Sequence, residues 1–274
     1  MRRIVILTLV GCAGMATAAT AQDEDEWYIE TTVGAAWSAT MDQQGHNSDH
    51  ICYPTYVCSS SNGYRWSYTV DAERATSFGV AVGYAWQTVS VDVSASEHTA
   101  NLTQEFRTIT NLDGAPVEVL ETSDYANPTL NMVGAFTNRT FAVNATYRIG
   151  SGTIRPYVGA GIGVSMLKVG DSFFQSQYYC LQELCELADL STYNVRQTGD
   201  MTDTVFSQRV FVGLDRAFRD GLLISLRLTG GHAGGLEYEG PYDEHPVPHL
   251  TSTSEFGNIN HLTLSLRLRY LLGR

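Results

Sequence analysis

Eight stretches of this chain alternate apolar residues with small or polar ones at a period of two, and that period limits the fold. Between Trp27 and Trp37 the odd positions read Trp, Ile, Thr, Val, Ala, Trp, and the even positions Tyr, Glu, Thr, Gly, Ala. From Phe78 to Trp86 every second residue is Phe, Val, Tyr or Trp, and those between are Gly or Ala. The same reading holds over 89–96, 141–149, 154–165, 206–215, 222–229 and 262–272. A helix needs a period near 3.6, so these stretches are strands. One apolar face backed by Gly, Ser, Thr and Arg suits a membrane barrel, with lipid outside and a narrow polar lumen inside. Each stretch has the ~10–12 residues that a tilted strand needs to cross hydrocarbon. Trp27, Trp37, Trp86, Tyr147 and Tyr270 stand at strand ends, where interfacial girdles form.

The connections alternate in length. Short turns are predicted at Gln87-Thr88, Gly150-Ser151-Gly152 and Arg219-Asp220-Gly221, and long connections over 38–76, 97–139, 167–204 and 232–260. Asn111-Leu112-Asp113-Gly114, inside the second long connection, has the composition of a tight hairpin turn. Short turns on the periplasmic side and long loops outside are the rule for such barrels. The expected fold class is therefore all-β: an eight-stranded antiparallel up-and-down transmembrane β-barrel with four long extracellular loops and both termini periplasmic. Closure leaves no edge strand and pairs every backbone group, which lipid demands. The competing architecture is a soluble eight-stranded barrel or sandwich with the apolar face inward. The glycines and arginines of the opposite face fit a narrow lumen better than a soluble exterior.

The N-terminus agrees with export. Arg2 and Arg3 precede a short apolar run, Ile4 to Val10, and Ala19-Thr20-Ala21 offers small residues to a signal peptidase. Residues 1–21 read as a signal peptide and 22–274 as the barrel domain. A lipoprotein box ending at Cys12 is the alternative. The formal charge is −12, and two units more negative once Arg2 and Arg3 are removed. An acidic surface argues against nucleic acid as a partner and against simple binding to anionic lipid.

Arg155-Pro-Tyr-Val-Gly-Ala-Gly-Ile-Gly-Val164 follows a strand and a Gly-Ser-Gly turn. In that position it resembles the signature strand of the OmpA-like and opacity-type outer-membrane β-barrel families. Leu262 to Leu272 resembles the C-terminal strand that the barrel assembly machinery reads, although Leu272-Gly273-Arg274 replaces the usual terminal aromatic. The resemblance covers the strands and not the loops. It implies eight strands, residence in the Gram-negative outer membrane, and contact with outer-membrane lipid and lipopolysaccharide.

An eight-stranded barrel has an interior that side chains fill. The inward set holds Glu30, Asp92 and Asp215 with Arg155, Arg209, Arg227, Arg267 and Arg269. Uncompensated charges there are costly, so an ion-pair network closing the lumen is expected. Cys52/Cys58 and Cys180/Cys185 are close pairs in an oxidising compartment and read as loop disulfides, with a zinc site as the competing reading. His46 and His50 in the first loop and His245 and His249 in the fourth meet where the barrel closes, and are candidates for zinc, copper or nickel beside exposed loop histidines of no special role. His232 with Ser165 or Ser207 is the best that catalysis can assemble, and no local motif requires it. No cofactor is expected. Tyr53, Tyr56, Tyr64, Trp66, Tyr68, Tyr178, Tyr179, Tyr193, Tyr238 and Tyr242 give the loops the composition of a recognition surface, or of packing that extends the barrel beyond the bilayer. These readings favour a non-enzymatic barrel, structural or adhesive, with a host or envelope ligand at its loops. A narrow porin-like solute or ion channel is the alternative, and a lipid A-modifying enzyme a third.

Overall fold

The computed structural model describes residues 25–47, 51–53, 56–59, 64–115, 125–126, 129–150, 152–176, 179–180, 191, 194–219 and 221–272. Residues 1–21, expected from the sequence to be a signal peptide, and Cys12 among them, lie outside the described residues. In chain order the strands are β1 (Glu26–Ser38), β2 (Met41–Asn47), β3 (Ile51–Tyr53), β4 (Tyr56–Ser59), β5 (Tyr64–Ala72) and β6 (Ala75–Trp86). Then come β7 (Val89–Asn111), β8 (Tyr125–Ala126), β9 (Thr129–Met132), β10 (Ala135–Arg148), β11 (Ile154–Ser176) and β12 (Tyr179–Cys180). The last are β13 (Val195–Arg219), β14 (Leu222–Ala233), β15 (Leu236–Pro241), β16 (Thr251–Phe256) and β17 (Ile259–Leu272).

Eight of these strands close a ring. β1, β6, β7, β10, β11, β13, β14 and β17 each pair antiparallel with the next. β17 returns to β1, from Trp27 opposite Leu272 to Ser38 opposite His261. The three predicted short turns fall at one end of this ring, where Gln87, Gly150 and Gly221 take positive φ of 44°, 83° and 74°. β1 begins and β17 ends at that same end. The outward face is an apolar belt: Phe78, Val93, Ile162 and Val210 are 61–66% exposed. Surface of that kind and extent is stable only against lipid.

The long connections are less irregular than their sequence suggests. β7, β11 and β13 run for 23, 23 and 25 residues, about twice the span expected of them. Their parity never slips at the belt, but the polarity of the two faces exchanges there. On β7 the inward residues are Ser90, Asp92, Ser94 and Ser96, then His98, Ala100 and Leu102, while the outward ones are Val89, Val91, Val93 and Ala95, then Glu97, Thr99, Asn101 and Thr103. On β11 the inward Ser165 gives way to buried Leu167 and Val169, and outward Met166 to the exposed Lys168. Within the belt the surroundings are lipid and the interior is polar; above it the surroundings are water and the interior is apolar.

Above the belt β7 leaves β6 and takes β5, which carries β2, β16 and β15 in turn. β11 and β13 stay paired on the opposite side, with β9 beside β11. Between these two walls lies an apolar core of Met41, Val70, Leu102, Phe136, Leu167, Met201, Leu236 and Phe256, among others. The pairing of β2 with β16 makes the first and fourth long connections neighbours, as expected from barrel closure. Asn111 to Ala115 forms the predicted tight turn, with the Gly114 amide donating to the Asn111 carbonyl at 2.9 Å.

Candidate functional site in the lumen

Inside the belt, the buried carboxylate of Glu30 accepts two hydrogen bonds from Arg267 and one from Arg269, the last at 3.1 Å. Arg267 also donates to the Tyr157 hydroxyl at 2.9 Å. Arg227 approaches the same hydroxyl at 3.4 Å and lies 3.9 Å over the Phe211 ring. Arg269 sits 4.1 Å over the ring of Tyr28, whose hydroxyl donates to Asp92 at 3.1 Å. Asp92 also accepts from Asn144, and Asn144 accepts from Arg209 at 2.7 Å. Arg209 donates in addition to Ser94. One connected network thus crosses the lumen. Arg267 and Arg269 are 0% and 1% exposed, burial that guanidinium groups tolerate only when paired.

Of the eight charged residues read from the sequence, Glu30, Asp92, Arg209, Arg227, Arg267 and Arg269 lie in this network. Asp215 is buried beside them and accepts from Ser225. Arg155 stands at the rim, where it donates to the carbonyl of Gly152 at 3.0 Å. It has the right parity for the lumen, but it is the second residue of β11 and lies level with the turn.

Sequence reasoning missed the aromatic half of the network. Tyr28, Tyr157 and Phe211 face, in register, Gly83, Gly213 and Gly159 on the neighbouring strands. A Cβ on any of these glycines would fall 2.2–2.4 Å from the facing ring. The glycines are therefore seats for inward rings, which in turn carry the guanidiniums. Only cross-strand register reveals the pairing.

Above the network a polar cavity of about 80 Å³ remains, bordered by Asp92, Ser94, Ser96, His98, Arg209 and His261 among others. That is room for a handful of waters. The apolar core then closes the interior above it.

The other candidates fall elsewhere. His232 bonds Asn260 at 2.9 Å and shares the outward face with Gln208, while Ser165 and Ser207 point inward and are buried. The catalytic pairing is thereby corrected: a strand's alternation puts these groups on opposite faces. His46 lies on β2 opposite Thr253 and Arg65. His245 accepts from the Val247 amide at 2.9 Å, and His249 has a φ of 67°. Among the described residues no three His, Cys, Asp or Glu side chains are placed to hold a metal; His50 lies outside them. Cys185 and the side chains of Cys52, Cys58 and Cys180 also lie outside, although β3 and β4 pair as a hairpin, which puts Cys52 and Cys58 on facing strands. Several loop aromatics serve packing. Trp66, Tyr68 and Phe106 stack edge-on at 5.5–5.6 Å, and Tyr238 packs on the apolar core.

Ring, belt and charged lumen together define an eight-stranded β-barrel of the outer-membrane type. No protein-family profile matches the chain, and no curated protein matches it in sequence. Among solved structures it is similar to Neisserial surface protein A, at a TM-score of 0.44 and 11% identity over 91% of this chain and 100% of that one. It is similar to OprG from Pseudomonas aeruginosa at 0.40 and 12%, over 89% and 96%. For Ail, the attachment invasion locus protein of Yersinia pestis, the values are 0.28 and 11%, over 88% and 99%.

Proposed function

We propose that this chain is a non-enzymatic outer-membrane barrel that holds a rigid recognition surface above the membrane, in a structural or adhesive role. The observation that carries the reading is a lumen blocked twice, by the Glu30–Arg267–Arg269 cluster and by the apolar core above the belt. A barrel filled in this way gives up transport, and its strands continue beyond the lipid as walls of β-sheet. Loops on such a scaffold are where binding residues concentrate. The long-loop end faces outward and the termini face the periplasm, following the turn-length rule of such barrels. The OmpA-like or opacity-type affinity of Arg155 to Val164 belongs to this reading, as do lipopolysaccharide around the belt and a host or envelope ligand at the loops. Against an enzyme stands the placement of His232 and the two serines on opposite faces.

Two measurements test it. Boiled and unboiled outer-membrane fractions should differ in gel mobility, as a closed detergent-resistant barrel does. Planar bilayers loaded with the purified protein should stay silent. Persistent single-channel steps would transfer the function to the lumen and favour a narrow solute or ion channel. A changed lipid A mass spectrum on overexpression would favour an enzyme.

A further inference from the structure

We infer that His98 and His261 form a binding site for a divalent transition metal, zinc first among them, at the top of the lumen. The two residues come from β7 and β17, which are separated in the ring by β6 and β1. Both border the polar cavity beneath the apolar core, and their ring centroids are 5.3 Å apart. His98 is only 7% exposed. Its Nε2 and the Nδ1 of His261 are buried without a hydrogen-bond partner. A buried polar nitrogen left unpaired is costly, and a pair of them beside one cavity points to something that both bind.

The spacing is compatible with a metal ion shared by the two rings. Zinc–imidazole bonds are about 2.0–2.1 Å, which places the metal roughly 3.2 Å from each ring centroid. Two imidazoles at a tetrahedral angle would then have centroids about 5.2 Å apart, against the 5.3 Å observed. Imidazole nitrogen suits zinc, copper and nickel. The cavity is also bordered by two carboxylates, Glu30 and Asp92, which offset the guanidiniums of Arg209 and Arg227 on its lining. The backbone is also shaped for this ring. Gly231 faces His261 in register, and a Cβ there would stand 2.2 Å from the imidazole. With no third His, Cys, Asp or Glu in reach among the described residues, water and the hydroxyl of Ser77 fill the remaining positions. Ser77 sits directly across from His98 in register and borders the same cavity. A site of this composition binds more weakly than a closed three- or four-ligand centre. It would pin β17, the closing strand, to the far side of the ring. These are not the loop histidines that the sequence nominates.

The test uses the full-length barrel refolded into detergent with excess zinc, or with cobalt as a spectroscopic substitute, followed by removal of free metal. The expected result is close to one metal per chain by elemental analysis and a tetrahedral cobalt absorption band. Zinc should also raise the temperature at which the folded gel band disappears by roughly 5 °C. His98→Gln and His261→Gln should each abolish that rise while still giving a folded band, and His232→Gln, on the outer face, should keep it. Metal below one-tenth per chain in the wild type, or a zinc response that survives both substitutions, would overturn the site and leave water as the partner of the two nitrogens. If either variant gives no folded band, wild-type stoichiometry and the cobalt spectrum decide alone.

Discussion

Glu30 offers one carboxylate to two guanidiniums, and all three side chains are within a few per cent of full burial. Removing the carboxylate leaves two cations without their counter-charge in a narrow lumen. Glu30→Gln is expected to cost about 3–5 kcal/mol, read as a lower urea midpoint for loss of the folded gel band. A neutral effect would mean that the arginines are held by aromatic faces and hydroxyls alone. The ring seats make a second residue-scale prediction. A Cβ at Gly213 would stand 2.4 Å from the Tyr157 ring, which supports Arg267 and Arg227. Gly213→Ala should therefore destabilise by about 1–3 kcal/mol, like other overpacked sites. Gly114, whose Cβ would meet nothing within 4 Å, measures the effect of its positive φ alone when replaced by Ala. The surface behaves differently. Lys168 and Asp200 pair at 2.6 Å, both about half exposed. The hydrogen bond from Lys168 and then the Asp171 amide hold the Asp200 carboxyl below the usual carboxylate range. A depressed carboxylate stabilises at pH values above its unfolded pKa, and that contribution disappears as the pH falls through the folded one. With this exposure the pair is worth at most ~1 kcal/mol. Asp200→Asn should thus shift the urea midpoint little at neutral pH and not at all under strong acid.

A single strand shows what the sequence could and could not disclose at the scale of elements. On β7 the alternation from Val89 to Ser96 is legible because lipid outside and polar lumen inside give it a strong contrast. Beyond Glu97 the alternation continues, but with its sign reversed, since water now lies outside and a dry core inside. Outward Glu97, Thr99, Asn101 and Thr103 made that segment look like a polar loop. The same reversal hid the outer halves of β11 and β13, and with them the apolar core. The charged lumen was legible from parity alone. The glycine seats and the His98–His261 pair were not, because each joins residues on different strands and depends on register. Parity puts Arg155 on the inward face, opposite Asp215, and gives no information on its depth. The reversal is open to measurement. Val93→Arg, in the belt, should destabilise by about 2–4 kcal/mol, and Thr103→Arg, ten residues along the same face of the same strand, should lie within about 0.5 kcal/mol of wild type. Equal costs at the two positions would mean that the lipid boundary is not where the polarity changes.

For the molecule as a whole, two closures stand in series along one axis, and conduction needs both to fail. The lower one is electrostatic: Arg267, Arg269 and Arg227 reach across to Glu30 and Tyr157. The upper one is apolar, with Phe136, Leu167 and Met201 packing from the ring strands against Leu236 and Phe256 from the added ones. Cutting Phe136 and Leu167 back to Ala removes buried volume at a cost of about 2–5 kcal/mol each, yet ions would still meet the arginine cluster below. Replacing Glu30, Arg267 and Arg269 together by small polar residues opens the lower half, and the apolar core still keeps water out above. Each set of changes alone should therefore leave planar bilayers silent, and only the combined variant should give steps. Conduction after the lower change alone would show that the apolar core opens by itself, and the external walls would then act as a gate rather than a fixed platform. Steps after the upper change alone would make the charged cluster an ion path instead of a plug. Because the four outcomes separate the two closures, the experiment also tests the argument for a recognition surface, which requires both to stay shut in the unaltered protein.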